Sequence, residues 1–221
     1  MANMLLGVTG SVAAIRVPTL YDAFTKAGHS VKVVATHAAT YFFESSRVGP
    51  PDSGGLGRNR DVIILDEDEW LGHVEGRRYE RGDRVLHIEL RNWADLFVIA
   101  PLDANTLAKL AVGLSDNCLT SIWRAWPSGK PVILAPAMNT VMWEHPFTRK
   151  HLRAVGADFG ASHVPGHLEG EVLIRQINDR AKGLRIVGPI AKELACGDVG
   201  IGAMAEVEDV VIAAGEMLKS A

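Results

Sequence analysis

Short, almost uninterrupted runs of Val, Ile and Leu recur along the chain, and stretches with helical spacing separate them. The runs occupy residues 4–8, 31–35, 62–65, 96–100, 132–135 and 184–187. Runs without polar alternation are typical of strands buried on both faces. Strands that alternate with helices favour βαβ units and a parallel sheet. The pattern therefore predicts an α/β fold, although periodicity alone leaves two or three runs open to being buried helix.

The segments between the runs predict the helices and loops. Apolar residues recur every three to five positions over residues 12–27, and further helices are expected over 37–44, 103–112 and 206–219, with Asp103 as an N-cap. Residues 47–60 are rich in Gly, Pro, Ser and Arg and predict an exposed loop. Residues 156–183 mix Gly and Pro with a short amphipathic piece. They fit either a surface insertion or a small extra hairpin.

Length and charge exclude several classes of protein. The chain has 221 residues, so at ~150 residues per domain a single domain spanning 1–221 is the leading prediction. The formal charge of −3 argues against a nucleic-acid partner. No apolar run approaches the ~18 residues of a membrane helix, and the first residues lack the basic region of a signal peptide. We expect a cytoplasmic protein with no membrane partner.

Polar turns follow several of the predicted strands. They are residues 9–11, Thr36, residues 101–106 and residues 136–139. In open parallel sheets, ligands bind beyond the carboxyl ends of the strands, and backbone N–H groups ahead of a helix suit a phosphate. The 9–11 turn is neither GxGxxG nor a P-loop, so alone it could be only a tight strand-to-helix turn. Together the four turns predict one ligand site.

His87 and Cys196 are the candidate acid–base groups. His87 lies in an apolar helical stretch and is either a packed histidine or a catalytic one, because imidazole titrates near neutral pH. Cys196 lies in a glycine-rich segment that could close over a substrate, where an accessible thiol can donate a proton. Cys118 has a helical apolar context and is predicted to be core. The two cysteines indicate neither a disulfide framework nor a zinc site.

Metal binding is a minor alternative. His163 and His167 lie four residues apart, but Pro165 and Gly166 between them break any helix that would bring the imidazoles together. We therefore expect no metal site.

Seven segments carry a family resemblance. They are GVTGSVAA (7–14), VLHIELR (85–91), WAD (93–95), APLDANT (100–106), PAMN (136–139), ACGD (195–198) and GAM (202–204). In this order they resemble the phosphopantothenoylcysteine decarboxylases, the monofunctional, eukaryote-like members of the flavin-dependent cysteine decarboxylases. The resemblance covers about residues 4–155 and 184–220.

The resemblance implies the fold, the reaction and the assembly. The fold would be a flavodoxin-like or Rossmann-like three-layer domain that binds FMN and forms a homotrimer with active sites between subunits. The reaction would convert 4′-phosphopantothenoyl-L-cysteine to 4′-phosphopantetheine and CO2 in coenzyme A biosynthesis. The flavin would oxidise the substrate thiol, CO2 would leave, and the enethiol would then be reduced, so no net redox change results.

The resemblance also implies site residues. The expected FMN contacts are Thr9, Gly10, Ser11, Thr36, Asp103, Ala104, Asn105, Thr106 and Ala137. His87 matches the catalytic histidine, and Cys196 matches the proton donor. The expected substrate contacts are Asn139, Lys192, Ala195 and Met204. Glu193 stands where the family has a basic residue, so the neighbouring Lys192 is expected to contact the substrate phosphate instead.

Some features fall outside the family pattern. Residues 159–182 have no obvious counterpart and are predicted to be an insertion, while residues 190–205 are expected to form a mobile substrate loop. Two other functions compete. A peptidyl-cysteine decarboxylase would stop at the enethiol and would not need the Cys196 proton. A flavoprotein regulatory subunit of a protein phosphatase would not need both His87 and Cys196.

Overall fold

A six-stranded parallel sheet forms the centre of the molecule. The computed structural model describes residues 1–50, 59–70, 72, 76–193 and 199–220. The strands are β1 (Asn3–Val8), β2 (Ser30–Ala35), β3 (Ile63–Ile64), β4 (Leu96–Leu102), β5 (Val132–Pro136) and β6 (Leu184–Ile186). They lie in the order β3-β2-β1-β4-β5-β6, and every neighbouring pair is parallel. This is the Rossmann order, with its switch point between β1 and β4. The predicted α/β fold is confirmed, and each predicted run is a strand.

Helices cover both faces of the sheet. They are α1 (Val17–Lys26), α2 (Leu86–Trp93), α3 (Ala104–Val112), α4 (Cys118–Arg124), α5 (Thr140–Glu144), α6 (Pro146–Asp158), α7 (Gly170–Arg180) and α8 (Val207–Ser220). Alternate residues of β1 point to opposite faces, so Leu6 packs in a core cluster with α1 and α8, whereas Leu5 packs with the other α-helices. The result is the predicted three-layer arrangement.

Two predicted helices are wholly or partly 3₁₀. The stretch over residues 12–27 begins as a 3₁₀ helix, Val12–Arg16, and continues as α1 with a proline in its first turn. Proline is tolerated there because the first N–H groups of a helix have no intrahelical partner. The helix expected over residues 37–44 is a 3₁₀ turn, His37–Tyr41. Asp103 is the N-cap of α3, as predicted, and accepts a hydrogen bond of 2.6 Å from the backbone N–H of Thr106.

The segment between α6 and β6 differs from the prediction. It is neither a hairpin nor a surface loop, because α7 buries Leu173, Ile174 and Ile177 in the second core cluster. The Asn178 side chain donates to the carbonyl of Ile186 at 2.9 Å and accepts from the N–H of Ile186 at 2.8 Å. This helix therefore completes the β5–β6 crossover. That residues 159–182 are an insertion relative to the family stays a prediction.

A small antiparallel hairpin precedes α8. Its strands are β7 (Ile190–Glu193) and β8 (Val199–Ala203), and the residues between them lie outside the described ranges. The carbonyl of Gly202 accepts from the N–H of Met138 at 2.9 Å, which attaches the hairpin to the loop after β5. Within the described residues, no helix is both long and apolar enough to span a bilayer.

Candidate active site

A cleft of about 650 Å³ opens at the carboxyl ends of β1, β4 and β5. The hairpin and α5 complete its wall. Residues of the predicted cofactor and substrate motifs lie together in its lining: Gly10, Ser11, Asp103, Ala104, Ala137, Asn139, Lys192 and Met204. Polar turns were predicted to converge here because they follow the carboxyl ends of strands. The structure brings three of the four into the cleft lining, and Thr36 lies outside the lining. The individual roles of these residues stay predictions.

Thr9 ties the two strands at the switch point. Its hydroxyl donates to the carbonyl of Pro101 at 2.9 Å and accepts from the N–H of Asp103 at 2.7 Å. The side chain is fully buried, so it supports the cleft from behind and does not line it. Because both bonds cross from β1 to the end of β4, Thr9 fixes the start of α3 against the turn at Gly10.

Gly10 brings backbone to the cleft surface. A Cβ at this position would lie 2.7 Å from the Cβ of Ala38 and 3.3 Å from Oδ2 of Asp103. A side chain at position 10 would collide with Ala38, so the turn lines the cleft with backbone at this point. Ser11 follows as the N-cap of the 3₁₀ helix, and its hydroxyl accepts from the N–H of Ala13 at 3.4 Å. A glycine turn just before a helix is a position that suits a phosphate.

Three other predicted cofactor contacts do not line the cleft: Thr36, Asn105 and Thr106. Thr36 is 7% exposed, and its hydroxyl has no hydrogen-bond partner among the described residues. A bound polar ligand would satisfy this buried group. Asn105 is exposed on the first turn of α3, and Thr106 is buried there. Ala195 and Cys196 lie outside the described residues.

Apolar side chains form much of the wall, and sequence reasoning missed them as site residues. They are Val12, Ile15, Phe42, Met138 and Met142. Val12 and Ile15 were counted toward the helical apolar face, yet they are 43% and 61% exposed. An apolar residue in a first turn carries no sequence signal that separates a cleft wall from a core position. A cleft with apolar walls and a few polar turns suits a flat aromatic ligand.

His87 does not line the cleft of its own chain. It lies in the first turn of α2, and its Nδ1 is 2.5 Å from Oε1 of Glu69. The Glu69 side chain is 3% exposed and that of His87 is 20% exposed. Sequence reasoning missed Glu69, because it ends an acidic run that would ordinarily be solvated and stands 18 residues from His87.

Asp66 and Cys118 lie close to this pair. Asp66 accepts from the backbone N–H groups of His37 at 3.3 Å and Cys118 at 3.2 Å. Burial raises the pKa of the Asp66 carboxyl above its ordinary value, against the lowering effect of these two bonds. Burial also raises the pKa of the Cys118 thiol, and the nearby acidic side chains raise it further. Cys118 is fully buried, as predicted for a core residue.

Lys192 is held at the rim of the cleft by an ion pair. Its Nζ lies 3.1 Å from one oxygen of Glu206, and the other oxygen lies 2.5 Å from Nη2 of Arg16. Hydrogen bonds from Arg16 and then Lys192 lower the pKa of the Glu206 carboxyl. Glu193 also lines the cleft beside Lys192. An anionic ligand in the cleft would compete with Glu206 for Arg16 and Lys192, which both line the cleft.

No group of three or more His, Cys, Asp and Glu side chains with metal-binding geometry occurs in the parts of the chain that the structure describes. His163 and His167, considered above, belong to no such group.

The Rossmann strand order, the phosphate-compatible turn at the switch point and the apolar cleft together define an α/β protein with a nucleotide-type cofactor site. The model of the flavoprotein family matches residues 1–218, so the chain belongs to that family. Several of its sequence relatives are named phosphopantothenoylcysteine decarboxylases. One from Oryza sativa subsp. japonica is 43% identical over 92% of this chain and 75% of its own length. One from Mus musculus is 40% identical over 95% of this chain and 83% of its own length.

Solved structures agree in fold. A cysteine-to-serine mutant of PPC decarboxylase complexed with pantothenoylaminoethenethiol has a TM-score of 0.75 and 37% identity, over 100% of this chain and 99% of that one. The FMN binding protein AtHal3 has a TM-score of 0.74 and 38% identity, over 100% and 98% of the two chains. The resemblance stated from the seven motifs is confirmed, and the relatives are decarboxylases.

Proposed function

We propose that this chain binds FMN in the cleft and decarboxylates 4′-phosphopantothenoyl-L-cysteine to 4′-phosphopantetheine in coenzyme A biosynthesis. The observation that carries the proposal is that one cleft, at the switch point, is lined by residues of the 9–11, 103–106, 136–139 and 202–204 motifs. Sequence relatives named for this reaction and a structural relative named for FMN binding support it.

The cleft fits FMN by its chemistry. The turn at Gly10 brings backbone to the cleft surface just before a helix, a position that suits a phosphate. The Thr36 hydroxyl, buried outside the cleft lining, has no hydrogen-bond partner among the described residues. The apolar walls at Ile15 and Met142 suit a flat ring system. When bound, FMN supplies a transient acceptor for the two electrons of the substrate thiol.

The chain's own residues supply binding and proton transfer. Asn139 lies at the cleft wall as the N-cap of α5, where its amide can hold the substrate carboxylate. Lys192 carries the positive charge that suits the substrate phosphate. His87 acts as the acid–base group, and Cys196 returns a proton to the enethiol carbon. Such positioned groups supply ~10²–10⁴-fold in rate.

The position of His87 supports an active site between subunits. Because His87 does not line the cleft of its own chain, a second copy would have to bring its imidazole to that cleft. This agrees with the homotrimer that the family resemblance implies. In such an assembly the FMN turn and the catalytic histidine of one site belong to different chains.

The experiment begins with the absorption spectrum of the purified protein, which should show bound flavin. Mass spectrometry of the product should then show loss of CO2 from the cysteinyl substrate and formation of 4′-phosphopantetheine. A protein that releases CO2 equally well after its flavin is removed would overturn the proposal. An enethiol as the final product of the unmodified protein would favour the peptidyl-cysteine type of reaction instead.

Two variants separate the steps. His87→Asn should keep its flavin and release no CO2, because the acid–base group is lost. Cys196→Ser should release CO2 but accumulate the enethiol with reduced flavin, because the final proton is missing. Full turnover in the first variant, or a normal product rate in the second, would remove that residue from the mechanism.

A further inference from the structure

A buried carboxylate lies next to the candidate catalytic histidine. The Glu69 side chain is 3% exposed, and its Oε1 is 2.5 Å from Nδ1 of His87. Removing a carboxylate from water is costly unless hydrogen bonds or an opposite charge compensate it. The contact with His87 is therefore what permits Glu69 to be buried at this point.

Hydrogen bonds to two other parts of the fold hold the turn that carries Glu69. Glu69 directly follows the 3₁₀ helix Asp66–Asp68, and its backbone N–H donates to the carbonyl of Asp66 at 3.3 Å. The Asp66 side chain in turn bonds to the backbone of His37 after β2 and of Cys118 at the start of α4. The Cys118 thiol lies near enough for the Glu69 carboxylate to raise the pKa of that thiol. The turn that carries Glu69 is thus held against the end of β2 and the start of α4.

The chemistry of the contact selects one form of the imidazole. An ionised carboxylate only accepts hydrogen bonds, so Nδ1 of His87 must carry the proton that it shares with Glu69. In the neutral imidazole this leaves Nε2 without a proton and able to accept one. A carboxylate on one ring nitrogen also fixes the ring's orientation, and the other nitrogen then meets the reacting group.

We propose that Glu69 is a positioning residue for His87. Its carboxylate accepts the Nδ1 proton, holds the imidazole in the Nδ1–H tautomer and aims Nε2 at the substrate. The inference rests on the proposed function, because the orientation of Nε2 matters only where it meets a reacting group. A purely structural carboxylate would instead stabilise the turn against α2 without affecting the tautomer or the chemical step.

The first experiment measures the tautomer directly. The FMN-loaded protein is labelled with ¹⁵N-histidine, and the His87 signals are assigned by their loss in His87→Asn. Two-bond ¹⁵N–¹H correlations, recorded at a pH where the ring is neutral, then show which nitrogen carries the proton. We expect the Nδ1–H tautomer, and a predominantly Nε2–H tautomer would overturn the proposal. This measurement does not depend on turnover, so it holds even if the proposed reaction fails.

The second experiment compares Glu69→Gln with Glu89→Gln. A glutamine amide can either accept from Nδ1–H or donate to Nδ1, so Glu69→Gln should give a mixture of tautomers. Its kcat should fall by about 10²-fold, within the range that a positioned acid–base group supplies, while KM stays within about twofold. Glu89 lies on the same helix as His87 but pairs with Arg84 at the surface. Glu89→Gln should therefore keep both the tautomer and kcat.

The outcomes separate positioning from structure. A Glu69→Gln variant that folds and keeps both kcat and the wild-type tautomer ratio would make Glu69 structural. An equal fall in kcat for Glu89→Gln would indicate a general effect of charge and would also overturn the proposal. If Glu69→Gln fails to fold, the wild-type spectrum still decides the hydrogen bond. If wild-type protein shows the expected tautomer but no decarboxylation, the proposed function fails and the Glu69–His87 contact stands.

Discussion

Thr9 shows how one small side chain organises the cofactor edge of the sheet. Its hydroxyl bonds to groups on both sides of the β4 end, the carbonyl of Pro101 and the N–H of Asp103. A hydroxyl is the smallest group that can donate and accept at once. This hydroxyl therefore joins the start of α3 to the Gly10 turn, alongside the backbone bond from the N–H of Thr9 to the carbonyl of Pro101.

Thr9→Val should destabilise the fold and weaken cofactor binding. The substitution preserves the shape and leaves the Pro101 carbonyl its bond from the backbone N–H of Thr9, but the N–H of Asp103 loses its hydrogen-bond partner. An unsatisfied buried N–H costs ~1–3 kcal/mol. Urea unfolding and flavin titration measure the two effects. The matched control is Thr25→Val, because Thr25 is exposed on α1 and its hydroxyl donates to the carbonyl of Tyr21 at the surface. Equal losses in both variants would contradict this explanation.

Cys118 should be inert toward thiol reagents in the folded protein. The thiolate is the reactive form, and burial together with the nearby Glu69 and Asp66 raises the pKa of this thiol. Iodoacetamide labelling followed by peptide mapping should leave Cys118 unmodified at neutral pH. The same reagent in urea should label it fully. Equal labelling rates in the two conditions would show that the side chain is accessible in the native state.

At the scale of elements, Glu206 joins the hairpin to the 3₁₀ helix that follows the Gly10–Ser11 turn. Its carboxylate bonds to Arg16 at the end of the first 3₁₀ helix and to Lys192 in β7. The partners belong to three separate segments of the chain, so the ion pairs hold the cleft rim together. All three side chains are partly exposed, so salt should screen the contacts.

Glu206→Gln should lower the melting temperature in a pH-dependent way. Arg16 and Lys192 lower the pKa of Glu206 in the folded state, so its contribution is complete above the ordinary glutamate pKa. The contribution is lost as the pH falls through the lowered folded-state pKa. The difference between wild type and variant should therefore be present at neutral pH and vanish in acid. Glu216→Gln, an exposed change on α8, should show no such trend. A difference that grows in acid would reverse the sign and contradict the ion pairs.

The buried face of α7 should carry most of that helix's contribution to stability. Leu173→Ala removes a fully buried side chain and should cost ~2–5 kcal/mol in urea unfolding at fixed protein concentration. The neighbouring Val172 is 50% exposed, so Val172→Ala should change the free energy of unfolding by no more than about 0.5 kcal/mol. Similar small effects in both variants would return the segment to the surface role predicted from the sequence.

At the scale of the whole molecule, the sheet was easier to predict from the sequence than the helices and turns that pack against it. Fully apolar strands such as β4 stand out because parallel strands bury both faces. The amphipathic piece of α7 was obscured, because Gly160, Pro165, Gly166 and Gly170 precede it and indicate a loop. The polar turns of the cleft could be predicted because they directly follow strands. The Glu69–His87 contact could not be predicted, because it depends on the tertiary placement of a turn after β3.

Mixed assemblies test the proposed active site between subunits. His87→Asn and Asn139→Asp should each be inactive as pure proteins. If the histidine and the cleft of a site come from different chains of a trimer, each mixed trimer has both native residues at one of its three sites, so the isolated mixed species should recover about one third of the activity. Co-expression with two different affinity tags isolates the mixed species. Mixed assemblies that stay inactive would place both residues in one chain's site.

The contact between Gly202 and Met138 limits how this cleft can change during evolution. Gly202 has φ of 155°, and a Cβ there would lie 2.2 Å from the carbonyl oxygen of Met138. Any larger residue at position 202 would collide with Met138 and push the hairpin away from the loop after β5. Related proteins that accept bulkier or smaller compounds should therefore differ at cleft side chains such as Phe42 and Met142. Position 202 should remain glycine.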